Sequence, residues 1–168
     1  ICHPRGKKLQ VVVGDRVGWL PSQDEGTIER IDERRNLLYR QDEVRTKSFA
    51  ANLDRVLVLV AAEPEFSEHQ LARALIACEA EHIEPLIVLN KADLAAPFAR
   101  AWARLAPYRA MGYSVLAMAA KPRGDVAAGT CSLDDVRARL QGHTTLILGP
   151  SGAGKSTLIN RLIPGAAA

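Results

Sequence analysis

Thr144–Ile163 reads TTLILGPSGAGKSTLINRLI. An apolar strand, Leu146-Ile147-Leu148, runs into a glycine-rich turn, and a helical pattern of Leu158, Ile159 and Leu162 follows. Gly149 to Ser156 fits GxxxxGK(S/T), the pattern of a phosphate-binding loop between a strand and a helix. Gly149, Gly152 and Gly154 are expected to open backbone angles that side chains forbid. Pro150, Ser151 and Ala153 complete a loop whose N–H groups can converge on phosphate oxygens. The helix after it aims its positive end at the same place. Lys155 supplies a cation for the β- and γ-phosphates, the Ser156 hydroxyl is placed to ligate Mg²⁺, and Thr157 follows in the first helical turn. The competing reading is a ligand-free glycine turn, and the strand before and helix after the loop argue against it.

Upstream, further apolar runs have strand length: Arg55–Val60, Leu86–Leu89 and Ser114–Met118. Between them lie helical spacings over Glu68–His82, Pro97–Met111 and Asp134–Leu140, the last opened by Ser132 as N-cap. Buried strands alternating with helices predict a parallel α/β sheet. Residues 1–52 differ. Val11–Val13, Val17–Leu20, Gly26–Ile31 and Asn36–Arg40 are short β segments between polar turns, with Ile28 and Ile31 out of phase as at a bulge. They predict a small barrel, so the expected division is a β domain at 1–52 and an α/β domain at 53–168.

The chain has 168 residues, 48% hydrophobic and 24% charged, with net charge +3. That composition is globular and permits a polyanionic partner without requiring one. No apolar run reaches membrane-spanning length. Cys2, Cys78 and Cys131 lack metal or disulfide spacing and read as reduced thiols of a cytoplasmic protein. The chain opens on Ile rather than Met, so a longer N-terminus is expected.

A second motif, Asn90-Lys91-Ala92-Asp93, closes the second α/β strand, at the rim where open sheets bind ligands. Alone it reads as a helix start capped by Asp93. Beside a phosphate loop it reads as a guanine site. A carboxylate accepts from N1–H and the 2-amino group together, and adenine has no such pair of donors. Asn90 can meet the base edge and brace the phosphate loop, and the Lys91 stem can cover the ring. In ordinary GTPases the phosphate loop precedes this motif. Here it follows, so the strands read as circularly permuted. The expected spatial order of strands, by first residue, is 144, 55, 86, 114, with the phosphate-loop strand at an exposed edge.

With that inverted order, Val13-Gly-Asp-Arg-Val17, Arg35-Asn-Leu-Leu-Tyr-Arg40, Ala50-Ala-Asn-Leu-Asp54, Ile87–Leu94 and Gly149–Thr157, led by Cys2-His-Pro-Arg-Gly-Lys7, resemble the circularly permuted GTPases that act on the small ribosomal subunit. The resemblance spans the chain. It implies an N-terminal OB-fold touching ribosomal RNA, joined to a permuted P-loop GTPase domain that is incomplete here. It also implies GTP and GDP as ligands with Mg²⁺, a cytoplasmic monomer with no membrane partner, and a role in late subunit assembly. Zinc is implied only for a C-terminal domain lying past Ala168. The switch threonine and D-x-x-G are also expected past Ala168, so slow turnover by this chain is expected. Ala119-Ala120-Lys121 stands where the family has Ser-Ala-Lys, whose Ala120 N–H would meet guanine O6; with Ala119 in place of Ser, a bracing hydroxyl is lost. Two other readings remain: a nucleotide-gated RNA-binding module and an ATP-dependent P-loop enzyme. Arg5, Lys7, Lys8, Arg34, Arg35, Arg40, Arg45 and Lys47 suit RNA but are interspersed with Asp15, Asp24, Glu25, Glu29, Asp32, Glu33, Asp42 and Glu43, so a plain solvated face accounts for them equally well.

Overall fold

The apolar runs become a four-stranded parallel sheet, β9-β6-β7-β8 from one edge to the other. The structure is a computed structural model. It describes residues 1–4, 10–22, 25–41 and 46–166, with no side-chain description for Gln41. Arg5, Lys7, Lys8, Asp24, Asp42, Glu43, Arg45 and Ala168 therefore lie outside the described residues. The elements in order are β1 (Cys2–Pro4), β2 (Val17–Pro21), β3 (Gly26–Ile31), β4 (Leu37–Gln41), β5 (Thr46–Ala51), β6 (Arg55–Ala61), α1 (Glu68–Ala80), β7 (Glu84–Asn90), α2 (Ala95–Arg104), α3 (Ala106–Ala110), β8 (Ser114–Ala117), α4 (Leu133–Leu140), β9 (Thr145–Leu148) and α5 (Lys155–Leu162). No helix among the described residues is long and apolar enough to cross a membrane.

Strand alternation divides the core. Val56, Val58 and Val60 of β6 with Ile87 and Leu89 of β7 face one side, against Leu71, Leu75 and Cys78 of α1 and Phe98, Ala101 and Leu105. Leu57, Leu59, Leu86 and Val88 face the other, against Val136 of α4 and Leu158 of α5. Each such side chain contributes roughly 1.5–3 kcal/mol on burial. All seven residues of β6 are buried, as a central parallel strand requires. The observed order is the expected one, with β9 paired only to β6 among the described residues. β9 is thus an edge strand as expected, while its side chains are half-buried on the two faces, Leu146 and Leu148 against the first core and Ile147 against the second.

The single helix expected over Pro97–Met111 is two, α2 and α3, hinged at Leu105. Pro107 has no N–H to continue the ladder. Ser132 caps α4 in a reciprocal box with Asp135. Burial raises the Cys78 thiol to about 11, which leaves it an unreactive core residue.

The N-terminal strands lie in two sheets, β1-β3-β2 and β4-β5. One bridge, Val13 to Ala50, links the segment before β2 to β5, so no closed barrel is seen among the described residues. Val11–Val13 makes only that bridge, whereas β1 and β5 are strands the sequence reading lacks. The irregularity expected near Ile28 is present: Gly18 pairs Arg30 and Trp19 pairs Ile28, leaving Glu29 over. β4–β5 shares the first core through Leu38 and Ala50.

Of the basic residues read either as RNA contacts or as a solvated face, Arg34 pairs within the β region and Arg35 reaches across to the α/β region. Arg34 donates through Nε and Nη2 to both oxygens of Asp15, at 2.8 and 2.9 Å, and to Gln10 O at 2.8 Å. Arg35 lies 2.8 Å from Asp54, whose other oxygen accepts the Thr144 N–H at 2.7 Å. Asn36 and Leu53 exchange two bonds of 2.8 Å. The Asp15 side chain is only 1% exposed, and the Arg34 guanidinium holds its carboxyl below the usual carboxylate range. A depressed folded value stabilises above the unfolded pKa and loses that contribution as pH falls through the folded value. Arg34→Ala leaves the buried carboxylate with only the Val12 N–H, at 2.8 Å, and is expected to destabilise the protein by about 2 kcal/mol. The mutant deficit should be full at pH 7 and shrink below the ordinary carboxylate range in denaturant melts. Equal stability of the two proteins at pH 7 would show the pair to be dispensable.

Candidate functional site

The phosphate-loop sequence sits at the C-terminal rim of the sheet, between β9 and α5. Gly152 and Gly154 have φ of +79° and +98°, the left-handed region that favours glycine. Gly149 does not share that φ. Its reason is proximity: a Cβ there would stand 2.2 Å from Leu59 O of the neighbouring strand. Helix α5 starts at Lys155, and the first N–H to find a helical acceptor is that of Leu158, on Gly154 O at 2.9 Å. The N–H groups of Lys155, Ser156 and Thr157 are thus at the open helix end. Lys155 Nζ bends back into the loop, donating to Gly149 O and Pro150 O at 2.8 Å each.

Asn90 ends β7, two strands from β9, and is only 3% exposed. Its Nδ2 donates to Ala153 O at 2.9 Å, and its Oδ1 accepts the Ala120 N–H at 2.9 Å. These partners fix the amide orientation, because a flipped amide would face acceptor to acceptor. One side chain therefore joins the phosphate loop to the loop after β8. Gly154 is also pinned here: a Cβ would lie 2.5 Å from Asn90 Nδ2. One Nδ2 hydrogen of Asn90 remains for another acceptor.

Beside Asn90 a cavity of about 300 Å³ opens. Of the expected residues, Asn90, Lys91, Asp93, Ala120, Lys121, Gly154 and Thr157 line it. Ala92 and Ala153 are buried and support it from behind, at 1% and 0% exposure. Gly149 and Pro150 wall a neighbouring cavity, while Ser151, Gly152, Lys155 and Ser156 line neither. Ser156 is exposed at the start of α5. Lys91 has φ +66°, uncommon for a side-chain residue, and its Nζ reaches the Glu63 carbonyl.

Asp93 does not cap the next helix. The N-cap position of α2 is Leu94, with no side-chain bond, and Asp93 Oδ2 accepts the Arg123 N–H at 3.2 Å instead. The Ala120 N–H, expected to face a ligand, is committed to Asn90. Glu63, Leu94 and Arg123 also line the cavity and were missed from sequence. They follow the ends of three different strands, or sit one residue past a motif, and no short pattern joins them.

A larger cavity, about 440 Å³, lies between β4–β5 and α1. Its walls mix Leu38, Phe49, Ala74 and Ala77 with Tyr39, Arg40, Gln70, Arg73 and Glu81, but no residue of the phosphate loop or of Asn90–Asp93 lines it, so the smaller cavity is the better candidate. Among the described residues no group of three or more His, Cys, Asp or Glu could hold a metal.

Residues 31–168 match the model of the RsgA GTPase family. A protein of Variovorax paradoxus named small ribosomal subunit biogenesis GTPase RsgA is 67% identical over 168 residues, covering 100% of this chain and 51% of that protein. A Burkholderia pseudomallei protein of the same name is 53% identical, covering 99% and 52%. The chain spans about half the length of these relatives. Among solved structures, YjeQ from Thermotoga maritima superposes with a TM-score of 0.70 at 30% identity, over 98% of this chain and 56% of that one. YloQ, described as a circularly permuted GTPase, gives 0.65 at 32% identity, over 99% and 56%.

Proposed function

The chain belongs to the RsgA GTPase family, and we propose that its rim cavity and phosphate loop together bind GTP and GDP. The observation that carries this reading is Asn90, which ties the cavity holding Asp93 to Ala153 of the phosphate loop. A base seated against Asp93 and phosphates held by Gly149–Thr157 are then parts of one site. Lys155 is the phosphate cation. Mg²⁺ retains waters and takes phosphate oxygens, and the exposed Ser156 hydroxyl would supply one ligand from this chain. When bound, the ion would neutralise charge on the phosphates.

Titration calorimetry tests the assignment. GTP and GDP should bind, and ATP should bind far more weakly; equal affinity for ATP and GTP would sink it. Lys155→Ala should weaken triphosphate binding by about 10- to 100-fold, the worth of one charge-assisted hydrogen bond, while the GTP-to-ATP preference persists. Undiminished affinity would remove Lys155 from the site.

For the whole protein we propose GTP hydrolysis in late maturation of the small ribosomal subunit, in the cytoplasm, on the strength of the relatives' names. Residues 1–52 are read as an opened barrel of OB type, joined at Asn52–Asp54 to the permuted domain. Its partner is ribosomal RNA, and with Arg34 and Arg35 engaged elsewhere, Lys47 is a remaining basic contact. Affinity for the small subunit should fall steeply with salt. A salt-independent interaction would leave this region a scaffold.

A further inference from the structure

Resting on the guanine-site reading, we infer that the backbone N–H of Arg123 positions the Asp93 carboxylate and thereby sets base specificity. Asp93 stands one residue before Leu94, the N-cap of α2, so the open N–H groups of that helix end are its nearest donors in the chain. It declines those local partners, and its Oδ2 takes an N–H thirty residues further along the chain, at 3.2 Å. The segment after β8 donates three bonds to Asn90–Asp93, this one among them, and accepts a fourth, from Ala92 N–H to Met118 O at 3.1 Å. Ala120 N–H goes to Asn90 Oδ1 at 2.9 Å, and Ala127 N–H to Ala92 O at 3.3 Å. All three donors are main-chain groups, so the segment wraps the motif by its backbone.

This matters because the terminal torsion of an aspartate is broad and two-fold. A carboxylate that must meet two adjacent donors of one base needs that torsion held. One N–H occupies one of about four lone-pair positions and leaves the others for the base. The brace is thus compatible with ligand, and it costs the cavity nothing. Since the donor is main chain, every residue except proline supplies it at position 123.

The test compares Arg123→Ala, which keeps the N–H, with Arg123→Pro, which removes it. Each is titrated with GTP and with ITP, whose base has N1–H but lacks the 2-amino group. Arg123→Ala should keep the parent's GTP-to-ITP preference. Arg123→Pro should shrink that preference by up to about tenfold, the worth of one well-placed bond. A general loss of folding would not shift the ratio. A parental ratio in Arg123→Pro overturns the inference, as does an equal loss in Arg123→Ala, which would assign the effect to the guanidinium. Amide hydrogen exchange gives a check that needs no proline. The Arg123 amide should be protected in the parent and exposed in Asp93→Ala; an unprotected parental amide overturns the brace. A parent that binds ATP as well as GTP would defeat the guanine reading itself, which is a separate outcome.

Discussion

Asn90→Ala is expected to lose both nucleotide affinity and stability. The side chain bonds Ala153 O and Ala120 N–H, and both residues are essentially buried, at 0% and 1% exposure. Truncation leaves a carbonyl and an amide without partners, at roughly 1–3 kcal/mol each. For a chain of this size that lowers the melting temperature by about 5–15 °C. The loss reaches further, because the two loops are no longer held to one side chain. GTP affinity should fall by about 100-fold or more, each tenfold being 1.4 kcal/mol. Gly154, whose backbone approaches Asn90 Nδ2 closely, would also gain freedom. Calorimetry and thermal melts measure the two effects separately. If both matched the parent, Asn90 would be a satisfied core residue and the single-site reading would lose its support.

Asp93→Asn should invert base choice rather than abolish binding. The carboxylate presents acceptors to N1–H and the 2-amino group of guanine. The amide replaces one acceptor by a donor, which suits the 2-oxo group of xanthine. A site built around hydrogen bonds rejects a mismatched group strongly, so GTP affinity should drop by about 10³-fold or more. Binding of xanthosine triphosphate should rise in the same variant. Phosphate contacts from Gly149–Thr157 are shared by both nucleotides, so the ratio isolates the base. Retained preference for GTP over xanthosine triphosphate would place the base somewhere other than against Asp93.

How much of this was legible follows from the range of each interaction. The phosphate loop, the strands β6, β7 and β9 and the Ser132 cap of α4 are set within a few residues, and such patterns are local and can be read along the chain. The cap of α1, Ser67 accepting from Gln70 N, is as local but was not read. The sheet order was legible too, from the inverted order of two motifs together with the rule that ligands gather at one rim. The break between α2 and α3 was missed although Pro107 announces it, because the Ala-rich helical spacing continues across. The strand β5, Thr46–Ala51, was missed because its polar start hides the alternation.

By itself the sequence determined the residue types of the site and the rim they occupy, since glycine turns, strand periods and helix starts are short-range physics. Only the tertiary structure decided what each of them touches. Gly149 is glycine because of Leu59 O on a neighbouring strand, and not because of its own φ. Arg34 and Arg35 are paired with Asp15 and Asp54, partners that charge counting did not name. Asp93 turns from its own helix to the Arg123 N–H. Those partners lie 19, 30 or 90 residues apart in the chain, and packing rather than pattern brings them within hydrogen-bond reach.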